Sequence, residues 1–403
     1  MRGRPAEPFA FSSSDRKTSM NPTTCAVCSA ALPHQAPAQS CRRCQTRLCG
    51  EACLKQHNKS KGECKKIQRA GGAEQNYANE QYAAAAAVAV EKCAGDAAGK
   101  TCYICLAGVN LVRACACSGE SGFVHLSCLV RQARVACAEA AEEAAVEAST
   151  KWYKCRLCKQ DYHGVVGCAL GWAGWATYMD QSPYSLVALE NLGVGQMKVG
   201  KHEEALNVFR AMQAMYVSRG LDPVNANDNV AICLRELGRL DEALELTREY
   251  YTAMKKSKGA GHYDTLRAVN NLADLCRKSR TPNGLSNACM LLRFHIPIAT
   301  SNFGPEHPLT MRMRENLVRS IMAKSTWLPE KSSKADLFEA QTIIEDLVPM
   351  IQRVYGADHP LTREVMETEF VLLDHLEIKA MAEVVADGDR LIREGHTRAL
   401  LSS

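Results

Sequence analysis

Two stretches of this 403-residue chain gather sulfur and imidazole at short, regular spacings. The first, "TCAVCSAALPHQAPAQSCRRCQTRLCGEACLKQHNKSKGEC", holds Cys25-x2-Cys28, Cys41-x2-Cys44 and Cys49-x3-Cys53, followed by His57 and Cys64. The second runs Cys102-x2-Cys105, Cys115-x-Cys117, His125-x2-Cys128 and, further on, Cys155-x2-Cys158. Disulfides, a buried apolar cluster or bound metal could each account for such a density. Disulfides need an oxidising compartment, and the N-terminal "MRGRPAEPFAFSSSDRKTSMNP" lacks the continuous apolar stretch of a secretory signal. Burial alone does not produce repeated Cys-x2-Cys pairs with histidines at fixed offsets. Metal does, because zinc takes four S or N ligands in a tetrahedron and a Cys-x2-Cys turn aims two sulfurs at one point. The candidate ligands suffice for up to four Zn2+ ions. A centre with four protein ligands leaves no position for a reactive water, which argues against a metal-dependent hydrolase.

The ligands need elements to hold them apart and together. Between Cys128 and Cys155 lies "LVRQARVACAEAAEEAAVEASTKWYK", whose Ala and Glu content predicts a helix. Cys137 within it reads as a small buried apolar residue. Between the two clusters, "AEQNYANEQYAAAAAVAVEKCAGDAAGK" also predicts a helix, stopped by Gly95 and Gly99. It has no broad apolar face and reads as a semi-rigid spacer. Beyond the clusters the chain repeats itself. "ENLGVGQMKVGKHEEALNVF" at Glu190 is echoed by "DNVAICLRELGRLDEALELT" at Asp228, a shift of 38, and more loosely from Asn270. The links "GAGHYDTL", "GPEHPLT" and "GADHPLT" recur at Gly259, Gly304 and Gly356. Each unit reads as two amphipathic helices joined by a turn, and stacked units of this kind bury a continuous core.

The motifs carry three resemblances. The order of ligands from Cys102 to Cys158, with His in the fifth place, resembles the RING-CH (RING-variant) zinc finger. That resemblance implies a cross-brace. Cys102, Cys105, His125 and Cys128 would hold one zinc, and Cys115, Cys117, Cys155 and Cys158 the other. The first cluster resembles a MYND zinc finger, which implies Cys25, Cys28, Cys49 and Cys53 for one zinc and Cys41, Cys44, a His and Cys64 for the second. The family's usual ligand position is Ser60 here, and His57, a helical turn earlier, takes its place in this reading. The Asn-Leu-Ala starts, the Gly-Arg-x-Glu-Glu-Ala-Leu turn and the Gly-x-x-His-Pro links resemble the kinesin-light-chain type of tetratricopeptide repeat. The whole order resembles multi-domain MYND/RING-CH/tetratricopeptide proteins of single-celled marine algae.

These resemblances imply small zinc-stabilised modules followed by an all-α helical-repeat solenoid. The expected boundaries are a disordered N-terminus over 1–22, the MYND-type finger over 23–66, the helical spacer over 67–99 and the RING-CH-type finger over 100–163. A connecting or capping segment follows over 164–183, then repeats over 184–377 and a C-terminal helix and tail over 378–403. RING-CH modules mostly recruit a ubiquitin-conjugating enzyme, and Ile104 matches the apolar residue that touches it. Gln132 stands where the family commonly has Trp, and Lys159 where many active RINGs have Pro. In peptide-binding repeats an Asn of each first helix bonds the peptide backbone, and the matching positions are Asn191, Asn229, Asn271 and Asn316. The same residues could instead satisfy polar groups between helices. A ubiquitin ligase that recruits substrate through its repeats and a non-catalytic adaptor that holds peptides on the MYND finger and in the repeat groove both remain open.

Charge and hydropathy set further limits. Residues 1–70 carry 13 Lys/Arg against 4 Asp/Glu, while the whole chain has a net charge of +5. Much of the basic excess lies in "CRRCQTRLCGEACLKQHNKSKGECKKIQR"; it could face acidic peptide or nucleic acid, but no aromatic residue interleaves with those charges, so base stacking has little support. The most apolar stretch, Gly164 to Met179, is too short and Gly-rich to span a bilayer. The expectation is an intracellular protein, cytoplasmic or nuclear.

Overall fold

The computed structural model describes residues 39–378 other than Cys49, Ala114, Ala116, Ser118, 180–182 and 357–360, and also Met381. The predicted ligands Cys25, Cys28 and Cys49, the disordered terminus expected over 1–22 and most of the expected C-terminal segment lie outside the described residues. The chain divides into two compact units, Met1–Leu237 and Gly238–Ser403.

The first unit opens with a short antiparallel ribbon of β1 (Gln39–Ser40) and β2 (Arg47–Leu48), then α1 (Glu51–Lys59) and α2 (Lys61–Arg69). The Ala-rich stretch forms α3 (Ala73–Ala97), as its propensity predicts. It is not a free-standing spacer. Ala78 and Ala89 are buried, and Ala85, Ala86, Val90 and Cys93 pack against the core around the second Cys cluster. Alanine leaves the helix surface so low that a neighbouring helix can approach closely, and Tyr77 then meets Trp172 edge-on at 5.6 Å. A second ribbon pairs β3 (Val112–Arg113) with β4 (Phe123–Val124), and leads into α4 (Leu126–Glu139) and α5 (Ala145–Ser149).

The Gly-rich segment forms α6 (Gly164–Tyr178), buried from Cys168 through Trp175 and packed against α3, α4 and α7 (Ser185–Met197). Its glycines explain how it fits. A Cβ at Gly171 would lie 2.7 Å from Leu192 Cα, and one at Gly195 of α7 would lie 2.8 Å from Cys168 Cα. Each helix therefore presents a glycine to the other's backbone. Apolar on every side, α6 is a core helix rather than a membrane helix. Among the described residues no helix is long and apolar enough to cross a membrane. The hairpin of α7 and α8 (His202–Ser218), with α9 (Val224–Glu236) against α8, completes the unit.

The second unit is helical among its described residues: α10 (Leu240–Lys258), α11 (Tyr263–Lys278), α12 (Pro282–Phe303), α13 (Pro308–Trp327), α14 (Lys334–Tyr355) and a helical stretch over 361–378. Each of α10 to α13 packs on the next, and α11 also touches α13, as expected when helix pairs stack into a solenoid. One continuous core runs from Leu266 and Val269 through Leu292, Leu317 and Ile344 to Leu372. The Gly-x-x-His links at Gly259 and Gly304 are capping devices. Gly259 and Gly304 end their helices at φ 87° and 91°. His262 and His307 then open the next ones, each Nδ1 accepting from a backbone N–H, of Asp264 and of Leu309, at 3.2 Å.

Candidate metal centres

Three Cys-x2-Cys turns in the first unit share one construction. The N–H of the residue after the second cysteine donates to the carbonyl of the first: Gln45 to Cys41 at 2.8 Å, Leu106 to Cys102 at 2.8 Å and Lys159 to Cys155 at 3.0 Å. The first cysteine's own N–H reaches forward to the carbonyls of Thr46, Ala107 and Gln160 at 2.8–2.9 Å. To close this loop Gln45, Leu106 and Lys159 take the left-handed conformation, with φ of 61°, 65° and 62°. In two turns a further N–H points at sulfur: Ile104 to Cys102 Sγ and Leu157 to Cys155 Sγ, both at 3.4 Å. Proline cannot occupy position 159 in this turn, since it lacks the N–H and its φ is fixed near −65°.

Around these turns the described residues assemble three four-residue sets, the donor atoms of each lying within 4.8 Å of one another. Centre A joins Cys41 and Cys44 to His57 from α1 and Cys64 from α2. Centre B joins Cys102 and Cys105 to His125 and Cys128 at the start of α4. Centre C joins Cys115 and Cys117 to Cys155 and Cys158. The sets of B and C interleave along the chain. His57 is buried, with Nε2 3.2 Å from Cys44 Sγ. It enters because α1 runs on to Lys59, which carries the side chain of position 57 back over the turn. Cys53, the described member of the remaining expected set, lies on α1.

The distances fit a tetrahedral ion. Zinc–sulfur bonds of about 2.3 Å give sulfur–sulfur edges of roughly 3.8 Å and sulfur–nitrogen edges of roughly 3.6 Å. Cys41 and Cys64 Sγ lie 3.8 Å apart and Cys117 and Cys155 Sγ 3.7 Å apart. His125 Nδ1 lies 3.2 Å from Cys105 Sγ and 3.7 Å from Cys128 Sγ. The other ring nitrogen, Nε2, donates to the Val109 carbonyl at 2.5 Å, so in the neutral ring the lone pair of Nδ1 faces the sulfurs. The cysteines of centres A, B and C form no disulfide.

Protonation shows what a bound cation would change. In centre B burial opposes ionisation of Cys102, but N–H groups of Cys105, His125 and Ile104 outweigh it and bring the thiol down to about 6. Cys128 is pushed up to about 12 by burial and by the sulfurs of Cys105 and Cys102. Centre C repeats the contrast. Cys158 falls to about 7, its burial outweighed by the Gln160 N–H and neighbouring thiols, while burial drives Cys115 far upward. In centre A burial and its neighbours raise Cys64 to about 12. Without a cation, thiolates crowded this closely repel one another. A divalent ion bound there would reverse that and hold all of them deprotonated.

A groove of about 730 Å³ opens beside centre B, and Cys105 and Cys128 form part of its wall. Ile104, Gln132 and Lys159, singled out at separate points of the sequence, all line it. Ile104 is 39% exposed and Val135 44%, so two of its apolar side chains are accessible. Arg131 and Arg156 also line it, and sequence reasoning passed over both; their adjacency to Gln132 and to Cys155 was the available signal. Cys137 is buried among Ala133, Ala148, Trp152 and Ala173 and lies in none of the three centres.

The four asparagines occupy different settings. Asn191 of α7 lines a recess with Tyr153, Glu190 and Lys198. Asn229 of α9 and Asn271 of α11 are half-buried. Asn316 of α13 is buried, and its side-chain N–H group donates to the carbonyl of Asn270 at 3.1 Å and lies 3.3 Å from its side-chain oxygen, which ties α13 to α11.

No protein-family model matches the chain, and no curated protein matches its sequence. Among solved structures it is similar to a Podosopora anserina kinesin light chain with nearly identical TPR-like repeats. That match has 16% identity over 57% of this chain and 98% of that one, with a TM-score of 0.36. BtubC (BKLC) from P. vanneervenii matches at 15% identity over 67% of this chain and 92% of that one, with a TM-score of 0.39. The stacking of helix pairs stands on the packing of α10 to α14 themselves, independently of these likenesses.

Proposed function

We propose that the chain is a zinc-binding ubiquitin ligase of the RING-CH type, whose finger docks a ubiquitin-conjugating enzyme while the helical repeats take a protein substrate. Zinc is favoured over harder cations by donor sets made only of thiolate and imidazole. The interleaved sets of centres B and C match the RING-CH cross-brace, and centre A matches the second site of a MYND finger, with His57 in the ligand place. On this reading Cys25, Cys28, Cys49 and Cys53 hold a fourth zinc, and the MYND finger binds a short peptide. Asn191 and Asn229 contact peptide on the repeats of the first unit, and Asn271 on those of the second. The zinc ions are structural: each brings distant segments together where the apolar core is small.

One observation carries the choice of ligase over adaptor. Ile104, on the Cys102–Cys105 turn of centre B, lines an open groove, and Gln132 and Lys159 border the same groove. Catalysis here is positioning. The groove holds the loaded conjugating enzyme so that its thioester meets the incoming amine, and the finger supplies no nucleophile. Ile104→Ala tests this. Its side chain supports no metal ligand, so zinc content and helicity stay at wild-type levels while discharge of a loaded conjugating enzyme is lost. If the wild type discharges no conjugating enzyme under conditions where a control RING does, the adaptor reading replaces the ligase. Equal discharge by wild type and Ile104→Ala would move the docking surface elsewhere.

A further inference from the structure

The groove beside centre B is charged as well as apolar. Residues 100–163 carry eight Lys/Arg and six Asp/Glu, close to balance. Their placement is not balanced. Arg131, Lys151, Arg156 and Lys159 line the groove, against the single carboxylate of Glu139. Arg131, Arg156 and Lys159 are exposed and Lys151 is half-buried. No ion pair joins any of the four to a described carboxylate. Unneutralised cations around accessible apolar side chains make a positive concave surface, which draws acidic partners in and rejects basic ones.

We infer that this groove selects a conjugating enzyme with an acidic docking face, seating one apolar side chain on Ile104 and Val135 while carboxylates meet the basic rim. The inference rests on the ligase reading above and adds the charge of the partner. The rim is anchored by both metal centres. Arg131 follows the ligand Cys128 on α4, while Arg156 and Lys159 flank the ligands Cys155 and Cys158. Their spacing is thereby fixed before the partner arrives, so little side-chain and loop ordering is required on binding.

The test uses the full-length, zinc-loaded chain and a panel of conjugating enzymes whose docking faces range from acidic to basic. Binding is measured by calorimetry at low and high salt. The wild type binds the acidic-faced enzymes more tightly, and salt weakens them selectively. Replacing two rim cations in Arg131→Glu/Arg156→Glu removes attraction and adds repulsion, which lowers affinity for an acidic face by about thirtyfold at low salt. The same variant binds basic-faced enzymes more tightly than the wild type does, a gain that an unfolded finger could not show, and Arg131→Gln/Arg156→Gln falls between. The inference is overturned if basic-faced enzymes bind the wild type as well as acidic ones, if affinity ignores salt, or if no member of the panel binds. Ile104-dependent discharge of a basic-faced enzyme would sink the charge inference and leave the ligase reading standing. Salt-sensitive binding of acidic-faced enzymes without discharge would do the reverse.

Discussion

The left-handed residue in each Cys-x2-Cys turn gives a sharp test of how the candidate centres are held. Lys159 sits at φ 62° and its N–H donates to Cys155 carbonyl at 3.0 Å. Lys159→Pro forbids both. Forcing φ to the proline value costs about 3 kcal/mol, and the lost hydrogen bond about 1 kcal/mol more. A structural zinc contributes on the order of 10–16 kcal/mol, so centre C still fills at equilibrium. Its affinity, however, falls by roughly a thousandfold for about 4 kcal/mol. The assay is therefore competition, with a chromophoric chelator titrated against the purified chain. One zinc equivalent should be released at about a thousandth of the wild-type chelator concentration, given that affinity change, and the others should stay in place. Lys159→Gly is the paired control. Glycine enters the left-handed region without the cost of roughly 1 kcal/mol that a side chain meets there, so this variant holds zinc as well as the wild type or slightly better. A Pro variant that resists chelator like the wild type, or a Gly variant that loses zinc, would refute the account of the turn.

Two further outcomes are expected. Elemental analysis of the purified chain should find about four zinc ions, at four ligands each; fewer than two would defeat the interleaved reading of centres B and C. In the second unit, Asp336 is held down to about 2. Its burial is outweighed by the Ser333 N–H and by Arg293 and Lys324. A carboxylate whose folded value is depressed adds stability that is complete above its unfolded value near 4 and disappears as pH falls towards 2. Asp336→Asn should thus destabilise the helical unit by about 2 kcal/mol at neutral pH and by almost nothing near pH 2. Unfolding followed by circular dichroism across that window reads the difference, and a gap that does not close on acidification would be the wrong result.

What the sequence alone determined is local. A Cys-x2-Cys turn closes within six residues, so its spacing is sufficient to announce two sulfurs aimed at one point, and Cys102, Cys105, Cys155 and Cys158 were legible for that reason. The Gly-x-x-His links were legible too, because a helix stop and the next helix start lie within a few residues of one another. Tertiary structure decided whatever depends on which surfaces meet. The sequence left His57 as a substitute for an absent ligand at Ser60; the course of α1 over the first turn brings its Nε2 to Cys44. Alanine is equally suited to a solvated rod and to close helix contact, so composition could not tell that α3 packs against α6 and the core around the second Cys cluster. The glycines of α6 and α7 acquire meaning only when Gly171 faces Leu192 and Gly195 faces Cys168. Asn191, Asn229, Asn271 and Asn316 share one motif position, yet Asn316 bonds Asn270 on α11 because those two helices stack there. Ile104, Gln132, Arg131, Arg156 and Lys159 are spread over more than fifty residues, and only the interleaving of centres B and C brings them round one groove.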